Sequence, residues 1–267
     1  MAKTDSGSIP FAKASACGND FILIEKRHYR GDILELTTAI CDRNHGVGAD
    51  GVEWIYESAN ADVRAHLINS DGSFAEISGN GTRCVAAWYC SAKLSDRAVI
   101  ETGAGLKVCT LTSRSGPEFR FSTEMGTPVV QQPVNVKLAS GEIRGVQVSM
   151  GNPHFVIFVD KFPADWREIA KELQTKADIF PNSTNVEYVQ VLSDEKIEIR
   201  IYERGAGETL SSGTGSSAAA AASITVGRTK RSVTVFSPGG PQAVNWESGE
   251  LKLDGPARIV CQGNYWL

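Results

Sequence analysis

The sequence has no C-x-x-C pair, and no cluster of histidine and cysteine stands at metal-ligand spacing. That argues against a structural zinc site and a dithiol redox centre. It has no basic cluster; Lys and Arg together number 27 against 31 acidic residues, a net charge of −4, so a nucleic-acid partner is not expected. Long apolar runs are missing as well. Runs such as Ala218–Ala222 fall far short of a membrane span. Met1–Pro10 is polar and lacks the apolar core of a secretory leader. A cytoplasmic protein is therefore the expectation, and disulfides are not expected among Cys17, Cys41, Cys84, Cys90, Cys109 and Cys261. Small buried hydrophobes is the plain reading for most of these six.

What is present is the composition of a globular chain of 267 residues, 42% hydrophobic and 22% charged, with 26 glycines. It repeats itself once. Gly18-Asn19-Asp20-Phe21 and the apolar run Ile22–Ile24 return 133 residues later as Gly151-Asn152-Pro153-His154 and Phe155–Val159. Val52-Glu53-Trp54-Ile55 matches Val186-Glu187-Tyr188-Val189 at a shift of 134, and Ser78-Gly79-Asn80-Gly81 matches Ser212-Gly213-Thr214-Gly215 at the same shift. Amphipathic helix candidates at Asp32–Asp42 and Ala164–Leu173 lie between these landmarks, again about one repeat apart. Short Val/Ile-rich runs such as Gln147–Met150 and Ile197–Tyr202 read as strands. Ordered matches at a nearly constant offset predict two α+β halves of one architecture. The turn-rich Gly126-Thr127-Pro128 marks their boundary, giving halves 1–126 and 127–257, with a C-terminal strand at about 258–267 as a candidate to return to the first.

Each half carries a glycine-rich S-G-[NT]-G loop followed by a run of small or apolar residues, Cys84–Trp88 and Ala218–Ala222. A helix apolar all round belongs in an interior, so each sheet is expected to wrap one buried helix. The loop then lies at the helix N-terminus, where free N–H groups and the dipole favour a carboxylate. A lone S-G-x-G reads as a turn serving the fold. Pairing by symmetry favours a ligand instead, as do the polar residues before each loop: Asn69, Asp71 and Glu76, then Glu203, Arg204 and Glu208.

These motifs resemble the diaminopimelate epimerase family over essentially the whole chain. The matching segments are Gly18–Phe21, Cys41-Asp42-Arg43 with Gly46–Gly51, Asn69–Ser73, Gly79–Cys84, Gly151–His154, Glu203–Thr209 and Gly213–Gly215. The resemblance implies two pseudo-symmetric domains, each a mostly antiparallel sheet wrapped around a central helix, with the active site between them. It implies conversion of LL- to meso-diaminopimelate for lysine and peptidoglycan precursors, with no cofactor and no metal, and makes a homodimer plausible. Carried over by position, Asn19, Asn69, Asn152, Asn185, Glu203 and Arg204 would hold the distal stereocentre. Gly79-Asn80 and Gly213-Thr214 would receive the α-carboxylate, and His154 and Glu203 would lie near the acid/base pair. For one histidine alone a structural role is the default; its place in Gly-Asn-Pro-His makes His154 a candidate.

The family's two catalytic cysteines are serines here, Ser78 and Ser212. A thiol ionises readily at a helix N-terminus, whereas a serine hydroxyl needs an adjacent base. The chain as written is thus expected to be inactive or strongly impaired. Three explanations stand: deliberate replacement of both cysteines, a natural amino-acid-binding paralogue, or an isomerase using Ser78 and Ser212 with help from His154 and Glu203. The six remaining cysteines favour the first, because the change is targeted. A related isomerase acting on another small acid is the rival enzyme, and the complete Glu203–Glu208 segment argues against it. Ala16-Cys17 stands where many members have Gly-Leu; Cys17 reads as filler more readily than as a site residue.

Overall fold

The computed structural model describes residues 7–247 and 249–267; of the polar stretch Met1–Pro10, residues 1–6 lie outside the described residues. The chain divides into two compact units. One comprises the described residues up to Thr123 together with Gly255–Leu267, and the other is Glu124–Asp254.

In the first unit the order is β1 (Ser8–Ala16), β2 (Asn19–Glu25), α1 (Ile33–Cys41), β3 (Gly51–Tyr56), β4 (Val63–Asn69), β5 (Phe74–Ala75), α2 (Gly79–Lys93), β6 (Arg97–Thr102), β7 (Gly105–Ser115) and β8 (Glu118–Gly126), the last of which runs on into the second unit from Glu124. In the second it is β9 (Val129–Val130), β10 (Val134–Leu138), β11 (Gly141–Ser149), β12 (Pro153–Phe158), α3 (Trp166–Gln174), β13 (Asn185–Ser193), β14 (Lys196–Glu203), β15 (Gly207–Thr209), α4 (Gly213–Thr225), β16 (Ser232–Ser237) and β17 (Gly240–Asn245). Strand β18 (Leu251–Trp266) starts in the second unit beside β17 and continues into the first beside β1.

The pairing repeats. Antiparallel β1–β2, parallel β2–β3, antiparallel β3–β4, parallel β4–β6 and antiparallel β6–β7 are matched by β11–β12, β12–β13, β13–β14, β14–β16 and β16–β17 in the same senses. Each parallel pair is bridged by a helical crossover, as parallel neighbours require. In the first unit, β7–β8, β8–β18 and β18–β1 close the sheet into a ring.

The helices form where their side chains cap and bury. Asp32 accepts from Leu34 N at 2.8 Å and Glu35 N at 3.3 Å, capping α1, and Asp42 ends it. Leu36, Thr37, Ile40 and Cys41 form its buried face, and Trp54 donates to Thr37 Oγ1 at 2.9 Å. Helix α3 buries Trp166, Ala170 and Leu173, a stripe at helical spacing. The central helices differ. Every residue of α4 from Gly213 to Ser223 is buried, and its alanines let the strands around it approach closely. In α2 the buried stretch is Gly79–Ala87 and Cys90, and Lys93 ends the helix before Leu94, whose φ of 53° stops it in the left-handed region.

Candidate active site

In the second unit the strand ends converge on the start of α4. Asn185 opens β13, Glu203 ends β14, His154 is the second residue of β12, and Asn152 precedes that strand. Ser212 is the N-cap of α4 and accepts from Gly215 N at 3.1 Å. A polar chain runs inward from it. Ser212 Oγ lies 3.4 Å from Thr214 Oγ1, and Asn152 Nδ2 donates to Thr214 Oγ1 at 3.4 Å. Asn152 Oδ1 is 3.0 Å from His154 Nε2, and His154 Nδ1 is 2.7 Å from Glu187 Oε1. The His154 and Glu187 side chains are fully buried. Burial pushes the Glu187 carboxyl up, and the charge of His154 opposes it.

Glu203 stands beside Ser212. Burial raises its carboxyl above the usual range, and the Thr209 and Ser212 hydroxyls pull the other way. Asn185 has both ends of its amide on the backbone: Nδ2 donates to Pro153 O at 2.9 Å and Oδ1 accepts from Arg204 N at 2.9 Å. Arg204 is exposed, its Nη1 donating to Asn182 O at 2.9 Å. Glu208 pairs with Arg167 through two hydrogen bonds, at 2.6 and 2.9 Å.

The first unit repeats the frame with other groups. Ser78 caps α2 and accepts from Gly81 N at 3.0 Å. Asn19 opens β2, and its Oδ1 accepts from Asn80 Nδ2 at 3.4 Å. Its Nδ2 donates to Asp50 Oδ2. Asp50 shares Arg43 with Asp20, whose carboxyl burial raises but Arg43 and Lys13 together hold below the usual range. Asn69 ends β4 and donates to Ser73 Oγ at 3.0 Å, a loop that Asp71 also ties through Ser73. Arg83, fully buried, donates to Asn80 Oδ1 and Pro256 O, with Cys17 Sγ at 3.9 Å.

A family model described as diaminopimelate epimerase matches residues 11–131 and 146–260. The diaminopimelate epimerase of Carboxydothermus hydrogenoformans is 37% identical over 275 residues, covering 96% of this chain and 99% of that one. That of Pelotomaculum thermopropionicum is 38% identical, covering 96% and 98%. The chain belongs to the diaminopimelate epimerase family. Solved structures share the fold of this epimerase family chain at low identity. A predicted epimerase from Pseudomonas aeruginosa has a TM-score of 0.74 at 13% identity, covering 97% of this chain and 99% of its own. A hydroxyproline epimerase from Agrobacterium vitis has 0.72 at 15%, covering 99% and 92%.

Two buried carboxyls in this epimerase scaffold escaped the reading of the sequence. Glu187 on β13 and Glu53 on β3 occupy equivalent places, flanked in register by Val156 and Ile201, and by Leu23 and Leu67. Each reaches beneath the first turn of its unit's central helix. A Cβ on Gly215 would stand 2.9 Å from Glu187 Oε1, and one on Gly81 would overlap Glu53 Oε1. Burial alone pushes the Glu53 carboxyl up to about 8. The signal was a glutamate at the same place in both apolar runs. Among the described residues, no group of three or more His, Cys, Asp or Glu could hold a metal ion, and no helix is long and apolar enough to cross a membrane.

Proposed function

We propose that this scaffold interconverts LL- and meso-diaminopimelate by proton transfer at one α-carbon, with Ser78 and Ser212 in the two proton-transfer positions. One group removes the α-proton and the other returns a proton to the opposite face, so no net proton is consumed. The observation that carries the reading is the paired cap: Ser78 and Ser212 each sit at the N-terminus of the equivalent buried helix, bonded to the N–H three residues on. The N–H groups of Gly79-Asn80 and Gly213-Thr214 receive the α-carboxylate there, where the helix dipoles favour negative charge. Asn19, Asn69, Asn152, Glu203 and Arg204 hold the distal amino-acid end, and Asn185 shapes its site by bonding the backbone at Pro153 and Arg204. Glu203 additionally stands beside Ser212 as its carboxyl partner.

With hydroxyls in place of thiols the chain as written turns over slowly or not at all, because a serine hydroxyl is negligibly ionised near neutrality. All six cysteines are free thiols, five of them buried, which suits a reducing cytoplasm.

The test is α-proton exchange from LL-diaminopimelate in heavy water, followed by proton NMR. The chain as written is run beside a Ser78→Cys/Ser212→Cys version. Exchange and meso product from the restored version alone support the reading. Absence of both from the restored version overturns it in favour of an amino-acid-binding protein or another substrate.

A further inference from the structure

We propose that Glu187 is a positioning residue: through His154 it fixes which way the Asn152 amide points, and with it the Thr214 and Ser212 hydroxyls at the start of α4. The link to catalysis rests on the proton-transfer role of Ser212 argued above; the internal arrangement does not.

The strand pairing around position 187 does not itself call for a carboxyl, since its neighbours in register, Val156 and Ile201, are apolar. Instead a fully buried Glu187 Oε1 meets His154 Nδ1 at 2.7 Å, while Oε2 is left with no partner among the described residues. Leaving a buried acceptor unpaired has a cost that a purely structural residue would avoid.

The other imidazole nitrogen settles the arrangement. Nε2 lies 3.0 Å from Asn152 Oδ1. An amide oxygen only accepts, so Nε2 carries hydrogen. Asn152 is then turned with Nδ2 toward Thr214 Oγ1, and Thr214 toward Ser212. One further proton lies between Nδ1 and Oε1. It makes either an imidazolium beside a carboxylate or a neutral imidazole accepting from a protonated Glu187. Nε2 donates in both, and the pair is neutral overall in both, as a fully buried pair requires. Burial pushes the Glu187 carboxyl up, against the opposing charge of His154. With Nε2 turned to Asn152 and Nδ1 to Glu187, His154 has no lone pair left for a substrate.

The first unit supports this independently. Asn19 occupies the place of Asn152 and meets Asn80, the residue equivalent to Thr214. There Asp50 pins the amide by its nitrogen, so Asn19 shows oxygen to its helix where Asn152 shows nitrogen. Each unit fixes this amide, with different chemistry.

The experiment labels histidine with ¹⁵N in the unaltered chain and reads the His154 ring nitrogens between pH 6 and 9, without ligand. Nε2 in the protonated range throughout, with a far-downfield proton on Nδ1, is the expected result. A bare Nε2 overturns the proposal. Glu187→Met then removes the partner while keeping volume. The far-downfield proton should vanish and diaminopimelate affinity by calorimetry should fall about tenfold. The melting temperature should fall too, since buried His154 loses its partner. Glu187→Gln, whose amide N–H can still donate to Nδ1 and leave the hydrogen on Nε2, should restore most of the affinity, which a loss of stability alone would not explain. Unchanged affinity in the folded variant overturns the proposal. If the variant fails to fold, or the unaltered chain binds no diaminopimelate, the nitrogen assignment alone decides; the second outcome also brings down the functional reading.

Discussion

The two units solve one problem twice and differ in where they put the charge. Both lead a strand with an asparagine, Asn19 or Asn152, and bond it to the second residue of the central helix, Asn80 or Thr214. The first unit fixes that asparagine from the surface, through Asp50 and a half-exposed Arg43 shared with Asp20. The second fixes it from inside, through the fully buried His154–Glu187 pair. The titratable groups near the helix starts are equally lopsided. The equivalent of Glu203 is Asn69, each ending its strand, and the equivalent of His154 is Phe21. A shared frame therefore does not carry shared chemistry: the second unit equips its serine with a carboxyl, and the first leaves Ser78 with a backbone N–H and a buried Glu53.

The largest expected effect tests that asymmetry through single restorations. Ser78→Cys replaces the unassisted hydroxyl with a thiol and leaves Ser212 with Glu203. Ser212→Cys leaves Ser78 unassisted. Because a positioned base contributes about 10²–10⁴-fold, Ser78→Cys should give α-proton exchange at least about tenfold faster than Ser212→Cys. Equal rates from the two, read by deuterium incorporation, would break the comparison.

Next comes the pH dependence of stability. Glu53 is pushed from 4.5 up to about 8 by burial alone. Below pH 4.5 folded and unfolded chains both hold its proton. Between about 4.5 and 8 only the folded chain does, so its contribution to stability is lost as pH rises, levelling off above the folded value. At about 1.4 kcal/mol per unit this is on the order of a few kcal/mol over the span. Glu187 shifts the same way, but the charge of His154 opposes it. Glu53→Gln should therefore flatten the decline in urea midpoint between pH 5 and 8 more than Glu187→Gln does. The reverse order would mean that the first unit's carboxyl has a counter-charge after all.

Much of the architecture was readable in the sequence because it repeats. The segment Asp32–Asp42 contains the helix observed at Ile33–Cys41, and Ala164–Leu173 stops one residue short of the end of Trp166–Gln174. The runs Gln147–Met150 and Ile197–Tyr202 lie in longer strands, Gly141–Ser149 and Lys196–Glu203, the first overrunning its strand by one residue. The S-G-x-G loops do start the two buried helices. What stayed hidden was how polar side chains meet across strands. His154 and Glu187 are 33 residues apart and meet only because β12 and β13 pair in parallel with His154 opposite Asn185. Periodicity marks both runs as buried strand, and a glutamate inside one looks like an interruption until its partner is known. Asn185 shows the same limit. Its type suits a ligand, yet both ends of its amide hold the backbone around Pro153 and Arg204.

A smaller effect separates the two glycine turns. Alanine at Gly81 would overlap Glu53 Oε1, whereas alanine at Gly215 would meet Glu187 Oε1 at 2.9 Å and Ser212 Oγ at 3.2 Å. Overpacking of this kind costs about 1–3 kcal/mol. Gly81→Ala should fall at the upper end and Gly215→Ala at the lower, measured by chemical denaturation. Equal losses would show that the Glu53 side chain yields as readily as Glu187.

The smallest effect comes from the surface network. Arg43→Ala removes the cation that Asp20 and Asp50 share, but Lys13 still pairs with Asp20 at 2.9 Å. Arg43 is half-exposed, so the loss of stability should stay under about 1 kcal/mol. Its larger consequence is for Asn19, whose Asp50 partner would then be held less firmly. Diaminopimelate affinity should drop a few-fold, and it should become less sensitive to salt than in the parent, because screening acts on exposed pairs and spares buried ones. An affinity of the parent that does not change between low and high salt would mean that Asn19 is held as rigidly as Asn152. The difference between the surface-pinned and the interior-pinned amide would then have no functional weight.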